Sequence, residues 1–185
     1  MNIFTTPNVK LNFREPGKPV PGDIHYAIGE STHGVLLAAR CDDGVCAIFV
    51  GDHADRLRNE IIAAFPKNPV VEEYTGWQRE LAQVVAVMEG TSCDLMNVTV
   101  GGTPFQQKVW QALCAIPYGS TRSYRQIAEQ LGTPGSVRAV AGACAANVLA
   151  FAIPCHRVVS ADGSISGYRW GSERKREILK QEGRL

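Results

Sequence analysis

Short, mainly apolar runs of β-forming residues, bounded by glycine and polar turn residues, recur through the first half of the sequence and predict β-strands. The runs are HYAIGES (25–31), GVLLAARCDD (34–43), VCAIFVGD (45–52) and LMNVTV (95–100). Glycines and the Asp42-Asp43-Gly44 turn separate the first three, as is typical of strands joined by tight turns. The turn favours an antiparallel hairpin between 35–41 and 45–50.

Two stretches between these strands follow a helical period instead. Asp55 opens the first, which ends at Pro66, and the second covers about 76–89. Their predicted apolar faces consist of Leu57, Ile61, Ile62 and Phe65, and of Trp77, Leu81, Val84, Val85 and Met88. Residues 1–24 hold four prolines and little periodicity, so we expect an extended N-terminal arm. Residues 25–100 are therefore predicted to form an α/β domain.

From Gly101-Gly102 onward the pattern becomes mainly helical. Thr103 and Pro104 form a helix start, and SYRQIAEQLG (123–132) is a helix that Ser123 can cap. SVRAVAGACAAN (136–147) follows after a short turn, so this pair predicts a helix-turn-helix. SADGSISGYRWG (160–171) is interpreted as a hairpin or wing, and Ser172 is expected to cap a last helix. Residues 101–185 are predicted to form a second domain.

The helix after Ser136 is made almost entirely of alanine and glycine. Between Val137 and Asn147 few side chains are larger than alanine, so the helix presents a narrow ridge. Such a ridge allows close packing against another helix, or entry into a DNA minor groove, which is roughly 6 Å wide. Arg138 projects from its N-terminal end.

Charge is divided unevenly between the two halves. Residues 1–100 hold 8 basic and 13 acidic residues, whereas residues 101–185 hold 11 basic and 5 acidic residues. This division favours an anionic partner for the second half. Without an apolar run of membrane-spanning length or a secretory signal, we expect a cytoplasmic protein with no membrane contact. The six cysteines then stay reduced, and the absence of a CxxC pair predicts no metal site.

The segment Ile-Pro-Cys-His-Arg-Val-Val (153–159) carries the candidate chemistry. A free thiol is mostly protonated at neutral pH, and a neighbouring base or positive charge increases its reactive thiolate fraction. His156 and Arg157 are candidates to activate Cys155, and Pro154 indicates a turn that could place them in one pocket. An acid that orients the imidazole could be Glu173, Glu177 or Glu182. The alternative is a buried structural cysteine beside an exposed histidine.

The segment and its surroundings resemble a known family of DNA-repair proteins. IPCHRVV, preceded by TPFQQKVWQAL, IPYGSTRSYRQIAEQLG and RAVAGACAAN, resembles the O6-alkylguanine-DNA alkyltransferases over nearly all of 103–171. These are the methylated-DNA–protein-cysteine methyltransferases. A looser likeness extends over about 25–183 and is similar to the C-terminal half of Ada response proteins. No cysteine-rich zinc module precedes it here, so a role as transcription activator is not expected.

The resemblance implies both the fold and the activity. The fold would be an N-terminal ribonuclease-H-like α/β unit followed by a mainly helical domain with a helix-turn-helix. The protein would bind double-stranded DNA as a monomer from the minor groove and flip out an O6-alkylguanine. It would then transfer the alkyl group to its own cysteine once, without a cofactor. O4 of alkylated thymine is a second candidate target.

The resemblance also implies roles for individual residues. Cys155 would accept the alkyl group, His156 would act as a base through a water, and Glu182 would orient His156. Asn147 would brace the turn before the cysteine. Tyr124 would help to rotate the nucleotide and deliver a proton to the leaving base.

Further residues would contact DNA or enclose the flipped base. Arg138 corresponds to the arginine that fills the vacated stack. The other implied DNA contacts are Tyr124, Ala139, Ala143 and Arg157. The base pocket would be lined by Val148, Tyr168 and Arg169, and narrowed by Trp170.

Two other functions would account for part of the pattern. A protein that binds alkyl lesions without transfer lacks the acceptor cysteine in known cases, whereas position 155 is cysteine here. A thiol hydrolase would use Cys155 and His156 but would leave Arg138 and the small-residue helix unexplained.

Overall fold

The computed structural model describes residues 8–91 and 95–183. The chain forms two compact units, and together they have the mixed α/β fold that the sequence predicts. The sheet unit consists of Asn8–Gly102 and Val148–Ala152, and the helical unit consists of Thr103–Asn147 and the chain from Ile153 onward. The boundary predicted near residue 101 placed Val148–Ala152 in the second domain, whereas in the structure this segment belongs to the sheet unit.

The sheet unit is built on one six-stranded sheet. Its strands are β1 (Val9–Phe13), β2 (Ile24–Ser31), β3 (Gly34–Cys41), β4 (Gly44–Gly51), β5 (Val70–Glu72) and β6 (Met96–Val100). Their order is β1-β6-β4-β3-β2-β5. The β2–β3 and β3–β4 pairs are antiparallel, and β1, β5 and β6 join by parallel pairing. Within this unit Leu149 forms a parallel bridge with Ile48.

The predicted N-terminal arm is partly wrong. Residues 9–13 form the edge strand β1 and pair with β6, because alternating side chains along VKLNF give it one half-buried face. Residues 1–7 of the arm and Cys93 lie outside the described residues. The five described cysteines are thiols rather than disulfides.

Two helices, α1 (Ala54–Ala64) and α2 (Gln78–Met88), belong to the sheet unit. Leu57 and Ile61 of α1 are buried as predicted, but Ile62 is 56% exposed. Ile62 follows Ile61 directly, and a step of about 100° around the helix axis turns its side chain away from the sheet.

The helical unit contains the remaining elements in a compact arrangement. They are α3 (Pro104–Cys114), β7 (Arg122–Ser123), α4 (Tyr124–Gln130), α5 (Val137–Ala145), β8 (Val158–Val159) and α6 (Ser172–Gln181). A short 3₁₀ helix, Cys155–Arg157, precedes β8, which pairs in parallel with β7. The hairpin expected over 160–171 is not formed; this loop turns through Ser160 and Ser164 without strands.

Local sequence explains where the helices of this unit begin. The Thr103 and Ser123 hydroxyls each accept a hydrogen bond from the main-chain N–H three residues later, and their own main-chain N–H groups donate to the side-chain oxygens of Gln106 and Gln126. The last helix begins at Ser172 itself, with Gly171 at the N-cap position, one residue from the predicted cap. In the described ranges, no helix is both long enough and apolar enough to cross a bilayer.

Candidate active site

Cys155 begins a single tight turn that separates its own side chain from those of the next two residues. Pro154 has φ −79° and ψ 60°, and the Cys155 N–H donates to the Ile153 carbonyl at 2.8 Å. The 3₁₀ turn Cys155–Arg157 follows, and all three side chains are buried. The turn directs Cys155 toward a cavity and both His156 and Arg157 toward the end of α6.

The cavity has a volume of about 440 Å³, within the range of pockets that hold a small organic group. Its walls come from α4, α5, the cysteine turn and the loop after β8. The residues that line it are Tyr124, Ala141, Cys144, Ala145, Cys155, Ser166, Gly167, Tyr168 and Arg169. Four predicted site residues, Tyr124, Cys155, Tyr168 and Arg169, therefore meet around one space.

Asn147 fixes the thiol from the side of α5. Its Nδ2 donates to the Ile153 carbonyl at 2.9 Å and to Cys155 Sγ at 3.2 Å. Burial raises the pKa of Cys155 to about 11, although the Asn147 amide and the charge of Lys175 act in the opposite direction. The resting group at neutral pH is thus a protonated thiol with a donor already in place for the anion.

His156, in the turn Cys155–Arg157, forms a buried pair with Glu182. His156 Nε2 lies 2.9 Å from Glu182 Oε1, and both side chains are almost fully buried. Burial lowers the pKa of His156 more than the neighbouring carboxylate raises it. Burial alone would raise the pKa of Glu182, but hydrogen bonds from His156 and Arg157 lower it to about 2. Glu182 is therefore the acid that the sequence pattern left open among three.

Arg157 was predicted to contact DNA, and the structure corrects this prediction. Its side chain is 4% exposed. Nε and Nη2 donate to the Glu182 carboxylate at 2.9–3.2 Å, and Nη1 donates to the Ile116 carbonyl at 2.8 Å. A guanidinium with these buried acceptors holds Glu182 in position and is not available to a phosphate.

Lys175 is a buried residue that the sequence analysis missed. It lies in α6, is 0% exposed, and its Nζ donates to the Val158 carbonyl at 2.5 Å. Burial lowers its pKa, and its charge lowers the pKa of Cys155. The spacing Lys175, Ile178, Leu179 places it on the apolar face of the helix, a signal that the sequence does carry.

Tyr168 and Trp170 pack against each other at the far side of the cavity. Their rings meet edge-to-face with centroids 5.3 Å apart, and the Tyr168 hydroxyl is buried. Trp170 was predicted to narrow the pocket directly. It is 4% exposed and is not among the residues that line the cavity, but it packs against two that are, Tyr168 and Arg169.

The two faces of α5 differ sharply. Val140, Ala143 and Cys144 are buried, and the Ala143 carbonyl accepts a hydrogen bond from Trp110 Nε1 at 2.9 Å. The exposed face consists of Arg138, Ala139, Ala141, Gly142 and Ala145. Ala143 was therefore wrongly predicted as a DNA contact, because its position on the helix faces the core, whereas Arg138 and Ala139 are accessible.

Arg169 and Val148 occupy different surroundings. Arg169 lines the cavity and donates from Nη1 to the Asn147 carbonyl at 3.3 Å, at the C-terminal end of α5. Val148 is part of Val148–Ala152 in the sheet unit, where its carbonyl accepts a hydrogen bond from the Ile48 N–H. It is not among the residues that line the cavity.

Comparisons with known proteins agree on one family. The family described as "6-O-methylguanine DNA methyltransferase, DNA binding domain" matches residues 104–184. "Regulatory protein ada" of Salmonella typhimurium is 46% identical over 171 residues, which cover 92% of this chain and 48% of the relative. The methylated-DNA–protein-cysteine methyltransferase of Candida albicans is 36% identical over 159 residues, 80% of this chain and 90% of that protein.

A solved structure agrees with these relatives. The crystal structure of Mycobacterium tuberculosis OGT in complex with DNA aligns with a TM-score of 0.70 and 33% identity, over 87% of this chain and 94% of that one. The chain spans about half the length of several curated relatives that it matches. With more than a third of residues identical over most of a relative of similar size, the chain belongs to the methylated-DNA–protein-cysteine methyltransferase family.

Proposed function

We propose that this protein repairs DNA by moving a methyl or larger alkyl group from guanine O6 to Cys155. The observation that carries the proposal is the position of the Cys155 thiol. It forms part of the wall of a 440 Å³ cavity, accepts a hydrogen bond from Asn147 and adjoins the buried His156–Glu182 pair. The protein is then a methyltransferase that modifies itself once, because a thioether is a poor leaving group.

The transfer balances without a cofactor. The thiol proton passes to His156, whose positive charge the Glu182 carboxylate stabilises, and the Asn147 amide stabilises the thiolate. Sulfur attacks the alkyl carbon, the bond from that carbon to O6 breaks, and its electron pair passes into the purine. Tyr124 supplies a proton to a ring nitrogen of the leaving base, so guanine departs neutral. Solvent then restores the phenol.

DNA is the expected partner of the helical unit. Helices α4 and α5 would act as a helix-turn-helix, with the small side chains on the exposed face of α5 entering the minor groove. Arg138, exposed near the start of α5, would fill the space that the flipped nucleotide leaves. We infer that the protein acts as a monomer on double-stranded DNA. We also propose a cytoplasmic location, which would keep the acceptor thiol reduced.

Mass spectrometry after reaction with a defined duplex tests the proposal. The protein is mixed with a duplex that carries one O6-methylguanine, and with the same duplex carrying unmodified guanine. We expect a gain of one CH₂ on the peptide that contains Cys155, only with the damaged duplex. Cys155→Ala should abolish the mass gain and keep DNA binding. Cys114→Ala should retain the mass gain.

Tight binding of damaged DNA by the wild-type chain without any mass gain would instead indicate a lesion-binding protein. A gain on a different peptide would show that Cys155 is not the acceptor.

A further inference from the structure

Two hydroxyl groups in the cavity wall are hydrogen-bonded to each other, and only one of them has a role in the proposed function. Tyr124 is the first residue of α4, and Ser166 lies in the loop between β8 and α6. The Ser166 hydroxyl donates to the Tyr124 hydroxyl oxygen at 3.0 Å. Both residues line the cavity that holds Cys155, and both are partly buried.

This hydrogen bond restricts the direction in which the Tyr124 O–H can point. A phenol carries one proton and accepts through its oxygen lone pairs. Because Ser166 donates to that oxygen, the Tyr124 O–H must point elsewhere, and within the described residues it has no acceptor. A purine in the cavity can provide one.

The same hydrogen bond favours loss of that proton. When Tyr124 donates, negative charge develops on its oxygen, and a hydrogen bond to a charged oxygen is about twice as strong as one between neutral groups. Burial raises the pKa of Tyr124, and the Ser166 hydroxyl acts in the opposite direction. Without Ser166 the buried phenol would be a weaker acid in a less defined orientation.

We propose that Ser166 is a positioning residue for alkyl transfer, which orients the Tyr124 phenol and stabilises it as it donates a proton to the departing guanine. The inference rests on the proposed function, since that function gives Tyr124 a proton to deliver. In this proposal Ser166 acts through Tyr124 rather than on the sulfur or the alkyl carbon. It acts on the step in which the bond to O6 breaks and the purine gains a proton.

Single-turnover kinetics test this role. Transfer is followed by quenched reaction of excess protein with a duplex carrying one O6-methylguanine, and affinity is measured separately with the same duplex. Ser166→Ala should lower the transfer rate constant by about tenfold, the value of one hydrogen bond to a developing charge. The Kd should change by less than about twofold.

Two variants separate the hydroxyl from general effects of substitution. Ser166→Thr keeps a hydroxyl and should restore the rate to within about threefold of wild type. Ser164→Ala lies in the same loop, but its hydroxyl donates to Asp162 Oδ1 at 2.7 Å, away from the cavity, so it should leave the rate unchanged. Single substitutions in a surface loop usually change the free energy of unfolding only slightly, so neither variant should lose rate through unfolding.

A double-mutant cycle decides between positioning and mere structural support. In a Tyr124→Phe background, Ser166→Ala should have no further effect, because the group it positions is gone. A tenfold loss that persists in that background, or Ser166→Ala reacting at the wild-type rate, would overturn the inference while leaving the proposed function intact. Failure of the wild-type protein to transfer would reject the proposed function itself, and the inference with it.

Discussion

Cys155 is a protonated thiol at rest, because burial outweighs the groups that favour its anion. The protein therefore does not hold a resting thiolate of the kind that cysteine proteases use. The structure instead keeps an Asn147 amide at 3.2 Å from the sulfur and a neutral, buried His156 beside Glu182. In the proposed reaction the thiol therefore passes its proton to His156 during transfer and does not start as the anion.

This arrangement predicts the dependence of transfer on pH. His156 must be neutral to take the thiol proton, and burial lowers its pKa below the ordinary 6.5. We expect a rate constant that is flat from about pH 7 to 9 and falls by up to tenfold per unit below the pKa of His156. Quenched single-turnover reactions across this range measure it. A steady tenfold rise per unit between pH 7 and 9 would mean that the thiol ionises directly to solvent.

At the scale of elements, the two faces of α5 differ in burial and composition. Its buried face carries Val140, Ala143 and Cys144, and its exposed face carries one arginine among alanine and glycine. Small side chains let the helix backbone approach a partner closely. Ala141 and Ala145 of the exposed face also line the Cys155 cavity, so the small-residue face that we propose as the DNA contact adjoins the reaction site.

Arg138→Ala should impair repair without unfolding the protein. Its side chain is exposed, so stability should change by no more than about 0.5 kcal/mol. Loss of the group that we propose to fill the vacated stack should lower the transfer rate at least about tenfold, since unstacking costs a few kcal/mol. Transfer kinetics and urea unfolding measure the two effects. Arg176→Ala, an exposed arginine of α6, is the matched control, and equal rates for both variants would contradict the assignment.

Gly142 allows the small-residue surface to be tested by size. A Cβ added there meets no atom within 4 Å, so Gly142→Ala should stabilise the helix by about 0.5–1 kcal/mol. Gly142→Leu should also fold, yet obstruct close approach to the minor groove and weaken DNA binding. Fluorescence anisotropy with a short duplex measures this. Ala82→Leu, at an exposed position of α2, adds nearly the same bulk and should bind normally; similar loss in both variants would argue against α5 as the contact.

At the scale of the molecule, the Glu182 carboxylate joins three segments of the helical unit. It receives hydrogen bonds from Arg157, pairs with His156, and accepts from the Gly119 N–H at 3.3 Å. Arg157 extends the network to the Ile116 carbonyl. The residues that orient the reactive centre are thus also those that connect α6, the cysteine turn and the loop after α3.

The protein should lose stability as the pH falls. The pKa of Glu182 is about 2 in the folded protein and near 4.5 when unfolded, and His156 also resists protonation when folded. The unfolded chain therefore binds more protons, so stability declines below about pH 6.5 and further between pH 4.5 and 2. The Glu182 contribution is roughly 3 kcal/mol.

Urea unfolding at pH 7, 5 and 3 measures this loss. Glu182→Gln should be less stable by about 3 kcal/mol or more at pH 7, because Arg157 keeps its buried charge without a counterion. Its stability should also change less with pH than that of the wild type. Parallel pH dependences for the two proteins would show that the acid sensitivity arises elsewhere.

Local patterns in the sequence were sufficient to predict helix starts and a turn, because these features depend on residues close together in the chain. Thr103-Pro104 and Ser123 mark helix starts because capping uses groups three residues apart, and Asp42-Asp43-Gly44 marks the β3–β4 turn for a similar reason. The cysteine motif indicated the family and its reactive thiol. The β1 strand escaped prediction, because its partner β6 lies more than 80 residues away in the chain.

The sequence alone determined the α/β class, most helix starts and the candidate acceptor, since each rests on short-range periodicity or on a compact motif. Only the tertiary structure decided the direction of each side chain. It placed Arg157 inside with Glu182, Ala143 in the core, Trp170 against Tyr168, and Ser166 beside Tyr124. The contacts of Arg157, Ala143 and Ser166 join residues 25 to 42 positions apart, where burial and hydrogen bonding select one partner among many that composition permits.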